Sequence, residues 1–179
     1  MMQRRALLLA ALPLGARASE APPEVRTDWP APGTPRPQGQ GRLRFLGLAV
    51  YDIVLWSAGP LAGEALERTP LALSITYLRA LSGERIAERS LKEMQRGGPI
   101  AEADAARWLA AMRGLFPDVA EGDRITGVHV PGRGARFHLN GRLLGELAEP
   151  RFAALFFGIW LAPWTSEPGL RQQLLGATG

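Results

Sequence analysis

The chain has 179 residues, with 21 lysines and arginines against 17 aspartates and glutamates, and it contains no cysteine. This length suffices for one hydrophobic core, and the lack of cysteine excludes disulfides, thiolate metal sites and a cysteine nucleophile. The arginines alternate with acids, as in Glu84-Arg85 and Glu88-Arg89, which is typical of a solvated helix face and disfavours a nucleic-acid partner.

Residues 1–18 have the features of a cleavable signal peptide. Arg4 and Arg5 form a positive start, residues 6–14 form a short apolar run, and residues 16–18 offer small side chains before a cut preceding Ser19. The run is shorter than the roughly 20 residues that cross a bilayer. We therefore expect a periplasmic or secreted protein without an integral membrane segment, exported by the Sec or twin-arginine route. An ordinary N-terminal helix is the alternative.

Residues 19–41 contain six prolines, which favour extended or irregular chain. We interpret them as a linker, although Trp29 could still dock onto the domain. The domain itself is expected at residues 42–179. Its first stretch, residues 43–56, is apolar on both alternate sets of side chains and predicts one strand that is central or covered on both faces.

The next elements follow from periodicity and capping. Alternation over residues 71–81 predicts a strand with its core side chains at Leu71, Leu73, Ile75 and Tyr77, and with Ser74 and Thr76 turned away. Ser82 is a candidate N-cap for a helix over residues 84–96. The glycines and proline of residues 97–99 end that helix, and a second helix is expected over residues 101–115.

Residues 124–147 predict a three-stranded meander with turns at residues 131–134 and at Asn140-Gly141. Pro150 begins a helix that extends to Leu161 and is apolar almost all round. A short helix with Leu170 and Leu174 closes the domain. The expected fold class is therefore α+β, an antiparallel sheet covered on one face by helices.

Candidate catalytic and metal residues are few. The two histidines, His129 and His138, are predicted to be exposed on one outward face of the meander. Two ligands are too few for a metal site. The chain has no Gly-x-Ser-x-Gly turn, and Gly132 and Gly134 belong to a hairpin turn, so they form no phosphate cradle. Glu102 and Asp104 lie at a helix start, where acids complement the dipole. We predict no catalytic residue, no metal and no cofactor.

Two arginines remain as a candidate anion site. Arg42 and Arg44 begin the apolar strand, and side chains two residues apart point the same way. Guanidinium groups at the mouth of an apolar layer suit a carboxylate. The alternative is that both emerge at the sheet edge and pair with acids.

Several segments together resemble bacterial chalcone isomerase-like proteins, over residues 39–176. They are Gly39-Gln40-Gly41, Val50-Tyr51-Asp52, Tyr77-Leu78-Arg79, the Pro131–Gly134 and Leu139–Gly145 turns, and the Phe152–Leu161 helix. The resemblance implies an open-faced β-sandwich with a ligand cleft between sheet and helices. Plant members cyclise chalcones, and plastid relatives without that activity are similar to fatty-acid-binding proteins.

The family's catalytic residues do not carry over. Its threonine falls on Leu46, its tyrosine at Gly98 or Pro99, its asparagine near Ala105 and a hydroxyl residue near Ile159, and none of these can move a proton. Its arginine falls on Leu43, between Arg42 and Arg44, and a shift of one residue turns a side chain to the other face of a strand.

We therefore expect a non-catalytic exported protein that binds a small apolar or fatty-acid-like ligand. The candidate ligand-binding residues are Arg42, Arg44, Leu46, Tyr77 and Arg79. Two alternatives remain: an isomerase acting on another substrate through Tyr77 and Arg79, or an envelope scaffold that docks a partner through Arg136, His129 and His138. The sequence does not fix the oligomeric state.

Overall fold

The computed structural model describes residues 20–61 and 66–176, so the segment assigned to a signal peptide lies outside the described residues. Within these ranges six antiparallel strands form one sheet in chain order: β1 (Arg36–Phe45), β2 (Leu48–Ser57), β3 (Leu71–Tyr77), β4 (Arg124–Val130), β5 (Gly134–Leu139) and β6 (Arg142–Leu147). The helices are α1 (Pro23–Thr27), α2 (Gly83–Met94), α3 (Glu102–Leu115), α4 (Pro150–Leu161) and α5 (Pro168–Leu174). The expected α+β class, a sheet covered by helices, is confirmed.

The single strand expected over residues 43–56 is wrong, because the chain reverses at its centre. Leu46 and Gly47 have φ values of 49° and 79°, and Phe45 pairs directly with Leu48. Two consecutive residues with positive φ make a tight two-residue hairpin turn, which usually carries Asn-Gly or Asp-Gly. Leucine at the first position carries no turn signal, so the sequence predicts one strand where the structure has two. As a result β1 is an edge strand.

Most of the remaining elements lie close to their predicted bounds, although β3 ends at Tyr77, four residues before the end predicted for it. Strand β3, the meander and the helices α2 to α5 are all present. Helix α2 begins at Gly83, where the Ser82 hydroxyl accepts a hydrogen bond from the Arg85 amide at 3.3 Å, as expected for an N-cap. Gly98, with φ of 135°, ends that segment.

Helices α2 to α5 cover one face of the sheet, which we call the helical face. Helix α5 packs on β1, α4 on β5 and α3 on β6. Gly39 permits the approach of α5, because an added Cβ would lie 2.2 Å from the Gln173 carbonyl oxygen. The aromatic rings of Phe137, Phe152 and Phe156 pack together at the centre of this layer. No helix in the described ranges combines the length and the apolar character needed to cross a membrane.

The opposite face, here called the back face, is partly covered by the proline-rich segment. Helix α1 buries Val25 completely in a small cluster with Trp56, Ala72 and Val128, and Trp29 packs against the same cluster. Strand β1 begins within this segment, at Arg36. The expectation of a linker over residues 19–41 is therefore wrong, because apolar side chains of α1 are buried against the back face of the sheet.

Buried polar groups attach α1 to the sheet. The Glu24 carboxylate oxygen Oε1 accepts hydrogen bonds from the Arg124 guanidinium at 2.9 and 3.1 Å and from the Thr126 hydroxyl at 2.9 Å. The Thr126 hydroxyl also lies 3.3 Å from that of Ser74, which accepts from Trp56 Nε1 at 3.1 Å. Ser74 thus points away from the helical face as predicted, yet it is buried beneath α1.

The charge on Glu24 is favoured in the folded state. Burial alone would raise the pKa of this carboxyl, but hydrogen bonds from its own backbone N–H, from Thr126 and from Arg124 outweigh it and lower the pKa. A lowered pKa in the folded state means that the stabilisation is present above the pKa of the unfolded chain, and that it is lost as the pH falls through the folded value.

Replacing Glu24 with Ala should lower the free energy of unfolding by about 2 kcal/mol at neutral pH, because Arg124 and Thr126 lose a buried charged acceptor. Urea unfolding monitored by circular dichroism measures this change, and the difference from the unmodified protein should shrink under acidic conditions. The control is Glu20→Ala, since Glu20 forms an exposed pair with Arg26 of the kind that contributes little. Equal effects of the two substitutions would contradict the role assigned to Glu24.

Candidate functional site

A cavity of about 310 Å³ lies between the helical face of β1 to β4 and helices α2 and α4. Most of its wall is apolar because alternate strand residues and one stripe of each helix face inward. The apolar wall includes Leu43, Ile75, Phe116, Ile125, Phe156 and Ile159. Mainly apolar clefts and cavities with a few polar groups are the usual form of a small-molecule site.

Both tyrosines of the chain, Tyr51 and Tyr77, contribute to this wall. Their rings meet edge to face with centroids 6.1 Å apart. The Tyr51 hydroxyl accepts a hydrogen bond from Trp160 Nε1 at 2.8 Å. The Tyr77 hydroxyl has no hydrogen-bond partner in residues 20–61 and 66–176, so its O–H group is available to a molecule in the cavity.

Neither phenol can serve as a base near neutral pH. Burial raises the pKa of Tyr51 to about 12, although the hydrogen bond from Trp160 opposes the shift. Burial also raises the pKa of Tyr77, and the neighbouring Tyr51 adds to the effect. Both groups therefore remain protonated and can act as hydrogen-bond donors.

Charged side chains also line the same cavity. Arg79 follows β3, while Arg85 and Arg89 lie four residues apart on α2, and Glu93 and Glu167 are the acids. Arg89 forms an ion pair with Glu93 at 2.9 Å. Arg79 and Arg85 have no ion pair within the described part of the chain, so they leave positive charge available for an anion.

Of the residues predicted to bind a ligand, Tyr77 and Arg79 line the cavity, and Arg42, Arg44 and Leu46 do not. Arg42 forms a two-point pair with Asp52, Nε to Oδ1 at 2.6 Å and Nη2 to Oδ2 at 2.9 Å. Arg44 donates to the Gly47 carbonyl oxygen at 3.3 Å. Alternation along β1 turns these arginines to the back face and places Leu43 and Phe45 at the cavity. The prediction that Arg42 or Arg44 lies at the ligand cavity is therefore wrong.

The sequence interpretation missed Arg85 and Arg89. Both belong to a run of alternating arginine and glutamate that predicted a solvated face. A spacing of four residues places them on one side of the helix, adjacent to Ile86 and Ser90, which also line the cavity. The nearness of two arginines to that apolar stripe was the available signal.

The histidines are not where the sequence predicted them. His129 and His138 are both buried, and they lie on opposite faces of the sheet. His129 packs 5.3 Å from the Phe157 ring and its Nδ1 lies 2.9 Å from the Thr69 carbonyl oxygen, whereas His138 Nε2 lies 3.1 Å from the Asp28 carboxylate. Residues 20–61 and 66–176 contain no cluster of side chains that could hold a metal ion.

Burial of the histidines also corrects the docking surface proposed for a scaffold. Arg136, its third member, is half-buried and bonds the Glu146 carboxylate at 3.1 Å, with Asp28 3.7 Å away. Asp28 belongs to the segment that follows α1, so this part of the back face is already occupied by the chain itself. These three side chains do not form an exposed surface.

A second concavity, of about 800 Å³, lies at the loops around Gly97–Pro99 and Pro131-Gly132. It is wider, but it lacks the aromatic and aliphatic wall of the first cavity. Its charged residues are Glu67, Arg68 and Arg151. The combination of apolar wall and available donors is found at the first cavity.

Ultraviolet titration of tyrosine tests the geometry of that cavity, because the chain has only two tyrosines and both lie in its wall. We expect no ionisation near pH 10 while the protein is folded, since the pKa of Tyr51 is raised to about 12 and that of Tyr77 is also raised. The control is the same protein in urea, which should titrate normally. A full ionisation step near pH 10 with unchanged circular dichroism would contradict the burial described.

Comparisons with known proteins agree with this architecture. The chain is 32% identical over 143 residues to an uncharacterised protein of Haemophilus influenzae, covering 80% of this chain and 69% of that protein. Its fold is similar to the crystal structure of an Arabidopsis thaliana fatty-acid binding protein, with a TM-score of 0.61 and 14% identity over 79% of this chain and 86% of that one. Residues 50–176 match the family described as chalcone isomerase-like. Since that match spans well over half of the chain, the protein belongs to the chalcone isomerase-like family.

Proposed function

We propose that this protein binds a fatty-acid-like molecule, with the apolar tail in the cavity between sheet and helices and the carboxylate at Arg79 and Tyr77. The observation that carries the proposal is that an apolar cavity has two available donors on one wall. Tyr77 ends β3 and Arg79 lies two residues beyond it, and both line the cavity. The fold it shares with a fatty-acid binding protein of Arabidopsis thaliana supports the same ligand class.

The tail would supply most of the affinity. Each methylene removed from water contributes about 0.8 kcal/mol, or about a fourfold gain in affinity. The cavity volume of about 310 Å³ is at the small end of ligand sites, so the gain should stop once the space is filled.

The head group would be fixed by charge-assisted hydrogen bonds. The Arg79 guanidinium can offer two parallel N–H donors to a carboxylate, and the protonated Tyr77 hydroxyl can offer a third. Arg85 adds positive charge on the helix across the cavity. Glu93 is engaged by Arg89, so it opposes a bound carboxylate less than a free acid would.

We further propose that the protein is exported and does not cyclise chalcones. The start of the sequence, residues 1–18, supports export. Both tyrosines of the cavity hold their protons, because burial raises the pKa of each phenol. Ile159, at a position where the family has a hydroxyl residue, also lines the cavity and can neither donate nor accept a proton. These features disfavour acid–base chemistry at the bound molecule.

Isothermal titration with saturated carboxylates of increasing length tests the tail site. We expect affinity to rise about fourfold per added methylene and then to reach a plateau. The control is Ser90→Phe, which places a ring at the cavity wall and should bring the plateau to a shorter chain. Affinity that does not depend on chain length would contradict the proposal.

Arg79→Ala should weaken binding of a mid-length carboxylate about tenfold, as expected for one lost charge-assisted hydrogen bond. Binding of the alcohol of the same length should change much less, because it carries no charge. The matched control is Arg42→Ala, which removes an arginine from the back face and should leave affinity unchanged.

Two results would overturn the assignment. If Arg42→Ala weakened carboxylate binding and Arg79→Ala did not, the ligand would lie elsewhere. If the purified protein cyclised a chalcone and Arg79→Ala abolished the turnover, the cavity would be an isomerase active site.

A further inference from the structure

The tip of the β1–β2 hairpin, residues 45–48, exposes apolar side chains that the fold does not use. Among the described residues the exposed large hydrophobic side chains are Phe45 (58%), Leu46 (87%), Leu48 (57%) and Leu143 (58%). Three of these four lie at one turn, whereas Leu143 is alone on β6 at the other edge of the sheet. Contiguous exposed apolar side chains indicate a contact with another surface.

Leu46 is also a poor residue for the turn in which it lies. Its φ of 49° is in the left-handed region, which glycine, asparagine and aspartate tolerate and a leucine side chain disfavours. A polar residue would form this turn with less strain and less exposed apolar surface. The leucine at this position is therefore explained neither by turn formation nor by core packing.

Three arginines lie beside the tip or at the cavity that the tip borders. Arg44 adjoins the tip, and the only hydrogen bond of its side chain in the described residues is to the Gly47 carbonyl oxygen. Arg79 and Arg85 lie at the same cavity as Phe45, and neither has an ion pair in the described part. Asp52 is neutralised by Arg42. Of the two acids that line the cavity, Glu93 is paired with Arg89 and Glu167 is not paired in the described residues. Apolar side chains flanked by arginines are typical of surfaces that contact anionic lipids.

We propose that the tip of the β1–β2 hairpin inserts into an anionic lipid surface and presents the cavity opening to it. Phe45 is exposed at the tip and lines the cavity together with Leu43 and Val50, so the apolar path from the tip into the cavity is continuous. A membrane is a better partner than a second copy of the chain, because a stable protein interface needs about 20 residues on each side and the tip offers three. The inference goes beyond ligand binding and does not depend on it.

The test measures partition of the purified protein onto vesicles by sedimentation. One set of vesicles contains equal parts of phosphatidylcholine and phosphatidylglycerol, and the other contains phosphatidylcholine alone. The test variant is Leu46→Asn with Leu48→Ser, since asparagine suits the turn and neither leucine lines the cavity. The matched control is Leu143→Ser, which removes an equally exposed leucine at the opposite sheet edge. All variants share residues 1–19, so differences between them arise at the substituted positions.

We expect the unmodified protein to bind the anionic vesicles, the tip variant to bind at least about tenfold less, and the control to change less than about twofold. Arg44→Gln should weaken binding to the anionic vesicles and leave binding to phosphatidylcholine unchanged. The tip variant should keep its affinity for a short carboxylate in solution, which separates this proposal from the function of the cavity.

Three outcomes would overturn the proposal. One is no binding of the unmodified protein to anionic vesicles. Another is equal loss in the tip variant and in Leu143→Ser. The third is a dimer in vesicle-free sedimentation that the tip variant dissociates, because the hairpin tip would then be a contact between copies of this chain.

Discussion

The tight turn at Leu46-Gly47, together with a register shift at Val50, sets the pairing of β1 with β2, and the arrangement of the cavity depends on that pairing. Leu43 pairs with Tyr51 and Arg42 with Asp52. The first pair faces the cavity and the second pair faces the back of the sheet. Because neighbouring strand residues point to opposite faces, a slip of β1 by one residue against β2 would bring arginines into the apolar wall and turn leucines to the back.

The same register explains which arginines remain available to a ligand. Arg42 lies opposite an acid on the adjacent strand, so its charge is satisfied on the back face. Arg79 leaves the end of β3 beyond the paired region, where no strand partner provides a carboxylate. Arg79 therefore lies where the sheet ends, without an ion pair in the described residues, and it lines the cavity together with side chains of α2 and α4.

Much of the fold could be predicted because local signals were strong. Asn140-Gly141 marks a hairpin, Ser82 caps a helix, and the apolar side chains of β3 alternate without interruption. The hairpin at Leu46 could not be predicted, since a leucine in a turn resembles the middle of a strand. Burial of His138 was likewise hidden, because it depends on Asp28, which is distant in sequence and belongs to a segment whose prolines suggested no structure.

The sequence predicted the kind of site, a cleft between sheet and helices, but only some of the residues that line it. The resemblance to chalcone isomerase-like proteins supplied a cleft between sheet and helices, and Tyr77 and Arg79 were placed in it from their strand. Arg85 and Arg89 could not be assigned from composition, since glutamates between arginines mask the local charge. In the folded protein both side chains line the cavity together with residues of β3 and α4.

Charge distribution, rather than net charge, links the cavity to the hairpin tip. If residues 1–18 are removed, 18 basic residues remain against 17 acidic ones, so the whole protein would have almost no net attraction to an anionic surface. Only charges within about one Debye length of the membrane surface, about 8 Å in physiological salt, contribute to the attraction. Arg44 adjoins the hairpin tip, and Arg79 and Arg85 line the cavity that Phe45 also lines. None of these three arginines forms an ion pair in the described residues, whereas Arg42 on the back face is neutralised by Asp52. A nearly neutral protein can therefore be attracted to lipid in one orientation, the one that brings its apolar cavity to the membrane.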